Sequence, residues 1–123
     1  MRSFIMLFGA VFVATSAFAH DMTEGPNGGQ VVEDAGHHVE LTAKDTQVVL
    51  FLTEASDAPL ATKGAKGRVI VQDGAAQAMA DLTASEPNQL TAKLATPVKP
   101  GNKLVVSIKL ADGPDVKARF VAK

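Results

Sequence analysis

The chain has 123 residues, a formal net charge of −1, and no Cys, Trp or Tyr. Without cysteine it has neither a disulfide to staple a fold nor a thiolate for catalysis or soft-metal ligation. Four of its six Phe fall within the first 18 residues, which leaves few rings to stack on sugars or bases and disfavours a nucleic-acid role.

The chain opens with the three parts of a secretory signal: Arg2, the apolar run Phe4 to Ala14, and the A-x-A site Ala17-Phe18-Ala19, followed at once by polar His20-Asp21. The apolar run falls short of the roughly 20 residues a membrane-spanning helix needs. With no cysteine after it, the segment carries no signal for a lipoprotein anchor. Residues 1–19 are therefore expected to be a cleaved signal peptide. The mature protein, 104 residues from His20 to Lys123, would be exported to the periplasm and has the size of one domain.

Residues 20–29 contain Gly25-Pro26 and Asn27-Gly28-Gly29 without apolar periodicity, and predict a flexible arm ending in a tight turn. Residues 30–123 predict a single β-domain. Gln30 to Glu33 suits a short strand, and Asp34-Ala35-Gly36 a hairpin turn in which Gly36 supplies any positive φ. From His37 to Ala43 the residues alternate: His37, Val39, Leu41 and Ala43 share one face, while His38, Glu40 and Thr42 share the other. Gln47 to Thr53 is apolar on both faces, as in a central strand. Glu54 to Lys66 reads as a long connection with a short strand near Leu60. Gly67 to Gln72, the Asp73-Gly74 turn and Gln77 to Thr83 form a second hairpin. Gln89 to Ala95, Lys103 to Leu110 and Val116 to Ala122 complete the strands. Nothing shows a capped 3.6-residue stripe. Seven or eight short strands at regular spacing predict an all-β, antiparallel β-sandwich of immunoglobulin-like Greek-key type, with a small closed barrel as the alternative.

Charge is split along the chain. From His20 to Asp57 there are eight acids and one base; from Ala58 to Lys123 there are ten bases and five acids. The acidic half also contains all three histidines. Either neighbouring strands neutralise each other across the fold, or one end attracts cations.

Metal ligation is the chemistry these residues favour. A mature N-terminal His20 would offer its α-amine and imidazole Nδ1 as a chelate for Cu(II), Ni(II) or Zn(II), with Asp21 as an oxygen donor and Met22 as a soft thioether. Glu24 lies within reach as another oxygen donor. His37 and His38 point to opposite faces of one strand, so they cannot share a metal without a bulge. His38 shares its face with Glu40, a pairing that suits a mixed nitrogen and oxygen site. The candidate metal residues are thus His20, His37, His38, Glu40, Asp21 and Met22. Imidazole ligation predicts affinity that falls as pH drops through about 6.5. Met79 sits on the polar face of its strand, where a half-exposed thioether at a sheet edge is the expected reading. No metalloprotease HExxH motif, phosphate loop or nucleophile with a partnering histidine is present, and no enzymatic activity is expected.

The turn Gly25 to Gly29, the short strand after it and the strand His37 to Leu41 resemble the N-terminal metal-associated domain of cobalt-zinc-cadmium type heavy-metal efflux adaptors, and small stand-alone proteins like it. Leu90 and the closing Ala118-Arg119-Phe120 fit the same all-β domain. The resemblance implies a β-sandwich-like fold and a role near divalent transition metals (Cu, Ni, Zn or Co) in the periplasm, as buffer, carrier or sensor. It also implies a periplasmic efflux adaptor, or another envelope protein, as partner. One position departs from the pattern: Asn27 stands where the adaptors often carry a histidine, which removes one expected ligand. The competing expectation is a non-metal interaction module that docks on an envelope protein through a sheet edge.

Overall fold

A computed structural model describes residues 24–123; the expected signal peptide and His20, Asp21 and Met22 lie outside the described residues. Eight strands follow one another without a helix among the described residues: β1 (Gln30–Asp34), β2 (His37–Lys44), β3 (Gln47–Glu54), β4 (Lys66–Asp73), β5 (Ala76–Ser85), β6 (Gln89–Lys93), β7 (Lys103–Lys109) and β8 (Asp115–Val121). All neighbours pair antiparallel, in the order β1-β2-β3-β6-β5-β4-β7-β8. The fold is all-β, one nearly closed antiparallel sheet of sandwich or barrel-like form.

Two Greek keys overlap within that order. Strands β4, β5 and β6 are joined by tight connections. The long connection before them lets β6 pair with β3, and the one after them lets β7 pair with β4. The first of these connections is tied down along its length: Pro59 bridges Thr53, Leu60 N–H donates to Leu52 O, and buried Thr62 donates its hydroxyl to Ser85 O. The strand expected near Leu60 is this single bridge.

Alternation fills the interior with aliphatic side chains. Val39 and Leu41, Val48, Leu50 and Leu52, Val69 and Val71, Leu90 and Ala92, Leu104, Val106 and Ile108, and Val116, Ala118 and Phe120 are all buried on inward-facing positions. Phe120 is the largest, and the rest of the wall is Val, Leu, Ile and Ala. On β5 the inward positions are Ala78, Ala80, Leu82 and Ala84, and only Leu82 is fully buried. Small side chains there let the sheet curve tightly where β5 pairs β6 over only three positions, Thr83 to Ser85.

The sheet ends, β1 and β8, lie side by side without a hydrogen-bonded ladder. One link crosses between them: Lys117 N–H donates to Asp34 Oδ2 at 2.8 Å. The β1–β2 hairpin turns on Ala35 and Gly36, with φ of 50° and 80°. Two positive φ values mark the turn geometry that matches the twist of paired strands. A two-residue loop fixes the register, pairing Asp34 with His37, Glu33 with His38 and Val31 with Glu40.

Candidate metal centre

The segment Glu24 to Gly29 is not the free arm its glycines suggest. Glu24 bridges Gln30, and the intervening residues fold back over the outer face of β2. Glu40 is the reason. Its carboxylate points out from the sheet into this turn, where Asn27 N–H and Gly29 N–H each donate to Oε2 at 2.9 Å and Asn27 Nδ2 donates to Oε1 at 3.0 Å. Hydrogen bonds from amide donors to a carboxylate are short and strong, so three of them fix the turn to the sheet. The turn in turn shields it, and only 4% of Glu40 is exposed. The fit leaves no space for side chains: a Cβ at Gly25 would collide with the Glu40 carboxylate, and one at Gly29 with the Leu41 carbonyl.

Glu40 was expected as a metal ligand because it shares a face with His38. It does share that face, but both of its oxygens are committed to the turn, so its role is structural. Asn27 has a role there too. Its side-chain amide and its backbone N–H both donate to Glu40, so this residue holds the turn to the sheet.

His37 and His38 point to opposite faces, as strand alternation requires. His37 lies on the inward side at the open end of the fold, half-buried, and its Nδ1 is buried without a hydrogen-bond partner. His38 lies on the outer face with its ring between two carboxylates. Nε2 is 3.9 Å from Glu33 Oε2, and Nδ1 is 3.5 Å from Asp57 Oδ1. Glu33 is the cross-strand neighbour of His38. Asp57 comes from the turn after β3, closed by Asp57 N–H to Glu54 O and Glu54 N–H to Ala58 O.

This arrangement has the chemistry of a partial metal site. Imidazole nitrogen and carboxylate oxygen bind Zn(II), Cu(II), Ni(II) and Co(II) at about 2.0–2.2 Å. Ligands at that range around a tetrahedral ion stand roughly 3.3 Å apart. A small rotation of the exposed Glu33 side chain closes the gap from 3.9 Å. Asp57, on the other ring nitrogen, is placed as the carboxylate that orients a ligating imidazole. Among the described residues no group of three or more His, Cys, Asp or Glu side chains is assembled for a metal. His38 thus has one carboxylate near each ring nitrogen, Glu33 at Nε2 and Asp57 at Nδ1. The same groove is also lined by Glu24, Asn27, Lys117 and Arg119.

Of the six expected ligands, the structure puts His38 in a carboxylate setting, gives Glu40 a structural task and turns His37 away. His20, Asp21 and Met22 fall outside the described residues. Glu33 and Asp57 were not among the expected ligands. Glu33 was within reach of the sequence, because a two-residue Ala35-Gly36 turn places it opposite His38. Asp57 was not, because its position depends on how a long connection folds back. Comparison with family models, curated proteins and solved structures finds no match to this chain.

Proposed function

We propose that the protein is an exported periplasmic β-domain that reversibly binds a divalent transition metal (Cu, Ni, Zn or Co) at His38 and Glu33, as a buffer, carrier or sensor accessory to heavy-metal efflux. The observation that carries this reading is the His38 imidazole held between Glu33 and Asp57 at the rim of a groove. Two direct ligands leave room for a third donor, and the chain itself has one in reach. Glu24 pairs with Gln30 on the edge of β1 that β2 does not occupy. Glu33 stands three residues along β1, roughly 10 Å away, and the four residues back to His20 can extend about 13 Å. An N-terminal amine and imidazole at His20 would complete the coordination. The competing reading, docking through a free sheet edge, is less favoured because the two edges, β1 and β8, face each other.

Calorimetric titration with Cu(II), Ni(II) and Zn(II) tests the proposal on protein whose N-terminus has been established by mass spectrometry. His38→Ala should weaken binding at least tenfold and Glu33→Gln several-fold, while His37→Ala stays within about twofold. Binding no tighter than that of an isolated His20–Gly29 peptide would sink the metal reading. Full loss in His37→Ala with none in His38→Ala would move the site to the other face.

A further inference from the structure

A second surface combines charge and apolar area in one place, and its β8 end, Lys117 and Arg119, borders the groove beside His38. On the outer face of β5, β4, β7 and β8 the pairing registers align residues in rows across the strands. One row is Thr83, Lys66, Lys109 and Asp115, and the next is Asp81, Arg68, Ser107 and Lys117. The third is Met79, Ile70, Val105 and Arg119, and the fourth is Gln77, Gln72, Lys103 and Val121. Met79 and Val121 are 61% and 47% exposed, and they are the only exposed large hydrophobics among the described residues. Both lie on this one face, at the two ends of a diagonal that runs through half-buried Ile70 and Val105. Around that diagonal stand six cations, Lys66, Arg68, Lys103, Lys109, Lys117 and Arg119, against two carboxylates, Asp81 and Asp115. Among the described residues only Arg68 of the six is ion-paired, with Asp81 at 3.5 Å.

A solvated face needs no apolar centre, and a face that only balanced the acidic strands would pair its cations. Here the apolar side chains and the unpaired cations occur together, and the surface offers side chains rather than a free backbone edge. A nucleic acid would use the charge but gain little from Met79, Ile70, Val105 and Val121, because the face has no ring on which to stack bases. An anionic lipid surface uses both features. Phosphate headgroups meet the Lys and Arg ends, and the apolar side chains enter the interfacial layer beneath their aliphatic stems.

We propose that the outer face of β5-β4-β7-β8 binds the surface of an anionic phospholipid bilayer, peripherally and reversibly. His38 and Glu33 belong to the β1–β2 pair and are not among the residues of this face. The test is sedimentation of the protein with vesicles of pure phosphatidylcholine and of phosphatidylcholine with phosphatidylglycerol, comparing variants that share one N-terminus established by mass spectrometry. Binding should require phosphatidylglycerol and decline with added salt. Lys103→Glu/Arg119→Glu should weaken it at least about tenfold, since each basic residue near the surface adds a substantial share of the attraction. Met79→Ser/Val121→Ser should weaken it several-fold with the charge intact, and His38→Ala should leave it unchanged. These surface substitutions leave the core in place, and circular dichroism confirms that each variant folds. Absent binding to anionic vesicles at low salt would overturn the proposal, as would equal binding by the charge-reversed variant. Binding to polyglutamate without binding to vesicles would overturn it in favour of an acidic polypeptide.

Discussion

Glu40 is a buried carboxylate that ties the Gly25–Gly29 turn to β2. Its carboxylate receives three donors, two of them backbone N–H groups that the turn has no other way to satisfy. Removing the acceptor leaves the buried Gly29 N–H unpaired, which costs more than that bond itself contributes, and frees the part-buried Asn27 donors. Glu40→Ala should therefore lower the unfolding free energy by about 2–4 kcal/mol in urea denaturation. Glu40→Gln keeps one carbonyl oxygen and should lose about half as much. Neither change should alter metal affinity at His38 by more than about twofold, because Glu40 has no oxygen free for a ligand. A neutral Glu40→Ala combined with a large loss of metal affinity would reverse the roles assigned here. A charged residue on the same strand face as a histidine reads as a ligand from alternation alone. The turn that claims it lies eleven to thirteen residues earlier, and no local pattern connects the two.

At the scale of the element, the β1–β2 hairpin sets the site. Ala35 and Gly36 both take positive φ, a conformation that costs a Cβ-bearing residue such as Ala roughly 1–2 kcal/mol. Asn tolerates it well, so Ala35→Asn should raise stability by about 0.5–1 kcal/mol, read as a shift in the denaturation midpoint with unchanged slope. The register is unaltered, so Glu33 stays opposite His38 and the metal affinity should not change. A stabilised hairpin with lost binding would mean that the Glu33–His38 pairing is not what holds the metal. Strand alternation and turn residues were legible here. The boundaries of β2 and β3 fall within a residue of where the sequence puts them, and the opposed directions of His37 and His38 follow from period two. Illegible was everything set by the return of a connection. The turn over Glu40, Asp57 beside His38, and the pairing of β3 with β6 all join residues far apart in sequence, and aliphatic composition alone does not specify which strand meets which.

For the molecule as a whole, the split between an acidic first half and a basic second half becomes a split between surfaces. Glu33 and Asp57 flank His38, while the cations of β4, β7 and β8 gather around Met79 and Val121. Among the described residues no ion pair joins the two halves, which meet at the seam where Asp34 accepts the Lys117 backbone N–H. A ligand that binds only the folded state adds stability by mass action, about 2.7 kcal/mol at a hundredfold excess over Kd. For a domain of this size that should raise Tm by more than about 10 °C when Zn(II) or Cu(II) is present, and His38→Ala should abolish the shift. The most direct measurement of the central claim is the imidazole 15N spectrum of the protein during a Zn(II) titration, which distinguishes the two nitrogens of each histidine. Direct coordination predicts that His38 Nε2 moves to the metal-bound range at stoichiometric zinc while the His37 nitrogens stay in place. A titration that moves His37 alone, or leaves His38 unchanged at saturating zinc, would contradict the account.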